Sequence, residues 1–290
     1  METQPITLKE KQAVEGLRVR YGHSLASHAF ASLYLWREQM GLSLLLTPDM
    51  FTARCLWQGE NAWFFPCGGE RAVADFVARG REEPGFSLCY LRGQDAAWLE
   101  DRFPGQWQLR RAPEADEYLY DVAGHLALAG GTYANLRTQV HKVEREYRPE
   151  TRPLGEDTLA DALDIIRRWE HGHCRFDDCG LRDDRVDEEA LLLRRELEVT
   201  GIVLYLDGRP TAVSAGFFLA PGLFDLAVAK SMSTAQGVSY YAKRELFRRL
   251  DCAAVNLEED LGIPGLRQMK NRLCPAAKSE IWEARPLWNG

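Results

Sequence analysis

The sequence predicts an α/β protein: two mixed sheets, each flanked by helices. Three observations lead there. The chain has 290 residues, a length suited to one large domain or two of ordinary size. Each half reads as helices, then a hairpin, then a strand, then helix and strand again, although the halves share no repeat at the level of identity. Pro113, Pro149 and Pro153 bracket the transition and set the boundary between about 115 and 150. Residues 1–120 are read as an N-terminal domain with a structural role, and 121–290 as a C-terminal domain carrying the site.

The elements follow in order. Leu8 to Tyr21 has helical periodicity, and Ser24 to Glu38 spaces Phe30, Leu33, Tyr34 and Trp36 one to three apart. Leu42–Leu46, Thr52–Trp57 and Asn61–Phe65 read as short strands, with Gly59-Glu60 turning between the last two. Pro66-Cys67-Gly68-Gly69 breaks the chain before a helix at Arg71–Arg81. Phe86–Leu91 is a strand, Asp95–Arg102 a short helix, and Trp107–Arg111 and Tyr118–Asp121 are extended. Tyr133–Tyr147 is helical and Pro149 stops it. Helices follow at Leu159–His171 and Glu188–Glu198. Gly201–Asp207 and Arg209–Leu219 form a hairpin on Asp207-Gly208. Leu223–Ala229 is a strand, Ser239–Leu250 a helix with Tyr241, Leu246 and Leu250 inward, and Ala253–Leu257 a strand. Lys278–Trp282 is the last extended segment.

Composition narrows the function classes. Hydrophobic residues make up 46% and charged residues 27%, values of an ordinary soluble domain with a sizeable core. The formal charge of −7 excludes a global polycation, so nucleic-acid contact would need a local basic patch. Seven irregularly spaced cysteines do not form a disulfide framework and fit a reducing compartment. The N-terminus Met1-Glu2-Thr3-Gln4-Pro5 shows no signal peptide. The run Leu42–Leu46 is far short of the ~20 residues that span a bilayer. The expected location is the cytoplasm.

Two segments carry candidate chemistry. Residues 256–270 crowd Asn256, Glu258, Asp260, Gly262, Gly265, Arg267 and Lys270 onto a Gly/Pro-punctuated loop. Asn256 ends a strand, where open α/β sheets bind ligands, and Arg267 and Lys270 are spaced for a short helix. The bland alternative is a tight connection with an incidental salt bridge. The helix from Tyr133 sets Arg137, His141 and Arg145 four apart on one face, with Lys142 beside them. That stripe reads either as a holder of phosphate or nucleic-acid backbone or as a solvated face neutralised by Glu144 and Glu146. Gln236-Gly237-Val238-Ser239 opens a helix, a place where anions dock, and Lys230 stands at the preceding strand end. His171-Gly172-His173-Cys174 with Asp177, Asp178 and Cys179 matches no zinc-finger spacing, so no metal is expected. No Ser/His/Asp or Cys/His nucleophile arrangement is readable.

Together these segments resemble a known family. Tyr133-x-x-x-Arg137-x-x-Val140-x-Lys142 on a helix, Lys230 at a strand end, and Asn256-x-Glu258-x-Asp260-Leu261-Gly262-x-x-Gly265-Leu266-Arg267-x-x-Lys270 look like bacterial proteins related to the C-terminal domain of phosphatidylglycerol lysyltransferase. Glu117-Tyr118-Leu119-Tyr120 and Pro66-Cys67-Gly68-Gly69 fit as well, and the likeness covers most of the chain. The resemblance implies two tandem acetyltransferase-like (GNAT) domains, each a twisted mixed sheet flanked by helices. It implies an aminoacyl- or acyltransferase moving a group from aminoacyl-tRNA, or from acyl-CoA, to a hydroxyl or amine acceptor.

Carried over residue by residue, Lys230, Glu258, Asp260, Arg267 and Lys270 become catalytic candidates. Arg137, His141, Lys142, Asn256, Gly262 and Gly265 become substrate-binding ones. Thr138 stands where many relatives have Asn, and the chain lacks their transmembrane helices, which weighs against a lipid-headgroup acceptor and towards a small molecule. The rivals are an acyl-CoA-dependent N-acetyltransferase using the 236–237 region, and a non-catalytic module for a charged metabolite or partner protein.

Overall fold

Two seven-stranded mixed sheets organise the protein, described by a computed structural model over residues 1–56, 61–173, 183–233 and 235–287. The chain forms two compact units. The first comprises Met1–Glu117, Glu259–Gly262 and Lys278–Gly290, and the second Tyr118–Glu258 and Ile263–Ala277. The units therefore do not divide the chain at a single point.

The first unit opens with α1 (Lys11–Arg20) and α2 (Phe30–Trp36). The hairpin β1 (Ser43–Thr47) and β2 (Met50–Cys55), β3 (Ala62–Phe64) and the two-residue β4 (Cys67–Gly68) come next. Then follow α3 (Glu70–Arg81), β5 (Ser87–Arg92), α4 (Gly93–Arg102) and β6 (Trp107–Arg111). The α3 sequence buries Val73, Phe76, Val77 and Gly80, a helical stripe that packs under the sheet. Trp63, Phe86, Leu88, Leu91, Leu99 and Trp107 complete that core. Burying one such aromatic side chain contributes roughly 2–3 kcal/mol.

The second sheet begins with β7 (Glu117–Asp121), followed by α5 (Val122–Ala127), α6 (Ala134–Glu146), β8 (Pro149–Pro153), α7 (Glu156–His173) and α8 (Asp183–Leu192). β9 (Thr200–Leu206), β10 (Arg209–Ala220) and β11 (Gly222–Ser231) form a meander, and then come α9 (Val238–Phe247), β12 (Cys252–Asn256), α10 (Pro264–Arg272), β13 (Ala277–Ser279) and β14 (Ile281–Pro286). The strand order is β13-β7-β12-β11-β10-β9-β8. The last strand, β14, lies in the other sheet between β5 and β6.

Three elements depart from the sequence reading. Pro149 does end α6, but it then starts β8, an edge strand that bonds only β9 and so tolerates two prolines. The helix expected at Glu188–Glu198 lies earlier, at Asp183–Leu192. The short α5 was not foreseen; Asp121 starts it by accepting the Gly124 N–H at 2.7 Å. The expected turn at Gly59-Glu60 lies outside the described residues.

One feature of the meander positions the site. β11 and β12 are parallel, and their register ends at Asp225–Asn256, whereas β11 continues along β10 to Ser231. A bulge between Ala215 and Phe217 re-aims β11 at the same level. Gly216 sits in it so close to β11 that an added Cβ would lie 1.7 Å from the Asp225 carbonyl oxygen. Gly216→Ala is accordingly expected to destabilise the protein by about 3 kcal/mol, because backbone rather than a flexible side chain must move. A denaturant titration against wild type measures it.

Candidate functional site

The end of β12 is built from its sequence. Asn256 is fully buried, and its Oδ1 accepts the Glu258 N–H at 2.7 Å. This side-chain turn lifts the chain out of the sheet and leaves Glu258 in the left-handed region, at φ 56°. Leu257 N–H donates to the Tyr118 carbonyl at 2.9 Å, and Tyr118 N–H donates to the Glu258 carbonyl at 3.2 Å, so the turn is tied to β7. Asp225, the register partner of Asn256 on β11, is also fully buried.

The helix α10 starts on Pro264, whose missing N–H costs nothing at a helix start. It brings Lys270 back to the strand end. The Lys270 ammonium, on a residue 5% exposed, donates to the Leu257 carbonyl at 2.5 Å and lies 5.7 Å from the Tyr118 ring centre. The Tyr120 hydroxyl fixes the same turn by donating to the Lys270 carbonyl at 2.8 Å. Arg267 and Gly265, on the same helix, are exposed. At the far end of β11, the Lys230 ammonium sits 3.1 Å from Asp187 Oδ2 of α8 and 4.3 Å from the ring centre of Trp169 on α7.

A third lysine, not singled out from the sequence, belongs with these. Lys243 lies on α9, 6% exposed, and donates to the Ser239 hydroxyl at 2.8 Å. Burial pushes its pKa down to about 8, and the charges of Lys230 and Lys270 press in the same direction. The signal was present: Tyr240, Lys243 and Phe247 fall three and four apart, which puts a lysine on the buried stripe of α9.

The mid-chain helix α6 carries Arg137, His141 and Lys142. The Arg137 guanidinium donates to the Leu128 carbonyl at 2.5 Å and the Gly130 carbonyl at 3.2 Å, closing the connection between α5 and α6. His141 is exposed and Lys142 half-buried. What α6 offers α9 is backbone contact: an added Cβ at Gly237 would lie 2.9 Å from both Gln139 Cβ and its carbonyl oxygen. With φ at 96° as well, position 237 takes only glycine without strain.

Asp260 and Gly262 belong to the first unit. Asp260 is fully buried, and its Oδ1 accepts the Gly262 N–H at 2.9 Å. The next residue back, Leu261, donates its N–H to the Glu114 carbonyl at 3.0 Å.

The first unit also holds a cavity of about 770 Å³, lined by Cys55, Cys89, Tyr90, Arg110, Glu114 and Arg285 among others. None of the site candidates lines it. Its Arg110 is paired to Glu114 and Glu283, so that part of the rim is neutralised; the convergent cations of the second unit weigh more for chemistry. Among the described residues no group of three His, Cys, Asp or Glu side chains is placed to hold a metal ion. The His171–Cys179 constellation lies outside the side chains described. No helix among the described residues is long and apolar enough to cross a membrane.

Comparison with known proteins gives consistent matches. The family model described as "Phosphatidylglycerol lysyltransferase, C-terminal" matches residues 18–284. A conserved protein of unknown function from Bacteroides thetaiotaomicron superposes with a TM-score of 0.91 at 20% identity, covering 99% of this chain and 100% of that one. L-PGS from Bacillus licheniformis superposes with a TM-score of 0.67 at 13% identity, covering 98% and 93%. No curated protein matches by sequence.

Proposed function

Because the chain belongs to the phosphatidylglycerol lysyltransferase C-terminal family, we propose that it is an aminoacyl- or acyltransferase working from its second unit. Both units are read as acetyltransferase-like domains, with the first structural. The donor is an aminoacyl-tRNA, and the acceptor supplies a hydroxyl or amine, either from a small molecule or from a lipid headgroup.

One observation supports this most: the buried Lys270 ammonium is held at the end of β12 by the Leu257 carbonyl, beside the Asn256-supported turn that carries Glu258. The acceptor oxygen or nitrogen attacks the ester carbonyl of the donor. A tetrahedral oxyanion forms, then collapses, expelling the ribose hydroxyl of the tRNA end, which takes up the proton the acceptor has lost. Lys270, anchored by the Leu257 carbonyl, stabilises the oxyanion. Glu258, on its Asn256-supported turn, orients the acceptor and accepts its proton. Positioning of the two substrates supplies the rest. Arg267, exposed on α10, contacts the donor, as do His141 and Lys142. Arg137 shapes the loop behind them, while Gly262 and Asp260 hold the following turn.

The test is transfer by the full chain from radiolabelled lysyl-tRNA or alanyl-tRNA to phosphatidylglycerol vesicles and to soluble amines. Label in either acceptor above the enzyme-free control is the expected result. No label in any combination removes the reading. The acyl-CoA alternative is favoured by a specific feature, the glycine-opened α9 that follows a strand running past its parallel neighbour. Calorimetry with acetyl-CoA separates the two, since clear 1:1 binding supports the coenzyme donor.

A further inference from the structure

A surface helix is ordinarily held to its domain by an apolar stripe, and a short one is marginal in water without such packing. α10 departs from that pattern. All nine of its residues are described, and Lys270 is the one that is buried. The next residue of the apolar core, Leu273, comes after the helix has ended. Buried lysines are rare unless something holds them. A charged residue therefore carries the docking of α10, and polar contacts fix where its charge stands.

β7 supplies two of those contacts. Tyr118 and Tyr120 are both fully buried and lie two apart on one face of the strand. The Tyr118 ring centre is 5.7 Å from the Lys270 ammonium, and the Tyr120 hydroxyl donates to the Lys270 carbonyl at 2.8 Å. Burial raises the pKa of that hydroxyl, so it keeps its proton and stays a donor. The Lys270 carbonyl also accepts the Leu273 N–H at 3.1 Å. It would thus keep a partner without the tyrosine, and satisfying a helix-end carbonyl does not explain the hydroxyl.

We propose that Tyr120 is a positioning residue for Lys270: its hydroxyl fixes how deeply the last turn of α10 seats against β7, and so where the ammonium stands relative to Glu258. The Glu258 carbonyl accepts the Tyr118 N–H at 3.2 Å, so one strand locates both the cation and the carboxylate-bearing turn. Tyr120 acts through Lys270 and touches no substrate. The inference rests on the transferase reading for what the ammonium does, and on geometry alone for how it is held.

The experiment compares three variants of the full chain with wild type: Tyr120→Phe, which keeps the ring and removes the hydroxyl, Lys270→Ala, and the two combined. The readouts are kcat and KM for transfer from lysyl-tRNA or alanyl-tRNA, amide hydrogen exchange across α10, and melting temperature. Tyr120→Phe should lower kcat by about ten- to a hundredfold, the scale of misplacing a catalytic group, with KM nearly unchanged. Exchange across α10 should quicken while the melting temperature falls by a few degrees at most. Beside Lys270→Ala the kcat effect should vanish, because the group being positioned is gone while the backbone carbonyl remains. A purely structural tyrosine would cost the same stability in both backgrounds and give no kcat effect that depends on Lys270.

A wild-type kcat in Tyr120→Phe overturns the proposal, as does a kcat loss that persists in full beside Lys270→Ala. Unchanged exchange across α10 also overturns it. If wild type transfers from no donor, exchange decides: quicker exchange in Tyr120→Phe keeps the anchoring of Lys270 and removes only the transferase reading, and unchanged exchange removes both. Normal transfer by wild type and Tyr120→Phe alike keeps the transferase reading and removes this inference.

Discussion

Lys270→Ala is expected to lower the transfer rate by about 10²–10³, the usual loss when one oxyanion donor is removed from an active site. The size of the effect follows from how Lys270 is held. Its ammonium is buried, fixed by the Leu257 carbonyl and faced by the Tyr118 ring, so it costs little reorganisation when charge develops beside it. An exposed lysine would be screened by water and would matter far less. The same substitution removes a donor from the Leu257 carbonyl, which adds a stability cost of about 1–3 kcal/mol. Two measurements separate these effects. The rate is read as kcat and KM below the melting temperature of the variant, and folding is followed by circular dichroism. A loss confined to kcat assigns Lys270 to the transition state. Arg267→Ala, three residues earlier and exposed, is the control: little change in stability and a change mainly in KM. If Lys270→Ala transfers at the wild-type rate, the role given to this lysine is wrong.

How much of this was legible beforehand differs between residues for physical reasons. The hairpin at Asp207-Gly208 was readable because that dipeptide accepts positive φ, and both residues adopt it, at 51° and 78°. The family likeness was readable because the motif from Asn256 to Lys270 is local in sequence. The division of that motif was not: the compact units assign Asn256 and Glu258 to the second, Asp260 and Gly262 to the first. Charge spacing on α6 correctly put Arg137 on the His141 face. It could not show that the guanidinium is engaged by two carbonyls nine and seven residues back. Between α5 and α6 the chain turns left-handed at Leu128 and again at Gly130, with φ 49° and 75°. Lys243 escaped notice for the opposite reason. A lysine beside Arg244 and Glu245 reads as part of a solvated row, and only its phase with Tyr240 and Phe247 marks it as inward. Prolines misled at β8, since they report lost N–H donors, and an edge strand has a side where none is needed.

Asp187→Ala is expected to destabilise the protein by about 3–5 kcal/mol, the cost of breaking a buried ion pair from one side. Asp187 is 4% exposed and Lys230 11%, so water cannot replace the lost carboxylate. The Trp169 ring does not compensate, because a cation–π contact is worth only about 1–2 kcal/mol when desolvated. The comparison that decides the matter is the double variant Asp187→Ala with Lys230→Met. Removing both charges leaves an apolar contact beneath Trp169, and buried pairs replaced in this way are often neutral or better. The double variant should therefore recover most of the stability lost by Asp187→Ala, giving a coupling energy of a few kcal/mol in a urea-denaturation cycle. It should not recover transfer if Lys230 contributes to the field around the donor. Stability restored while transfer stays low would mean the pair is kept for its chemistry and not for folding. Full recovery of both would make Lys230 a structural partner of α8, and would leave Lys243 and Lys270 to carry the electrostatics alone.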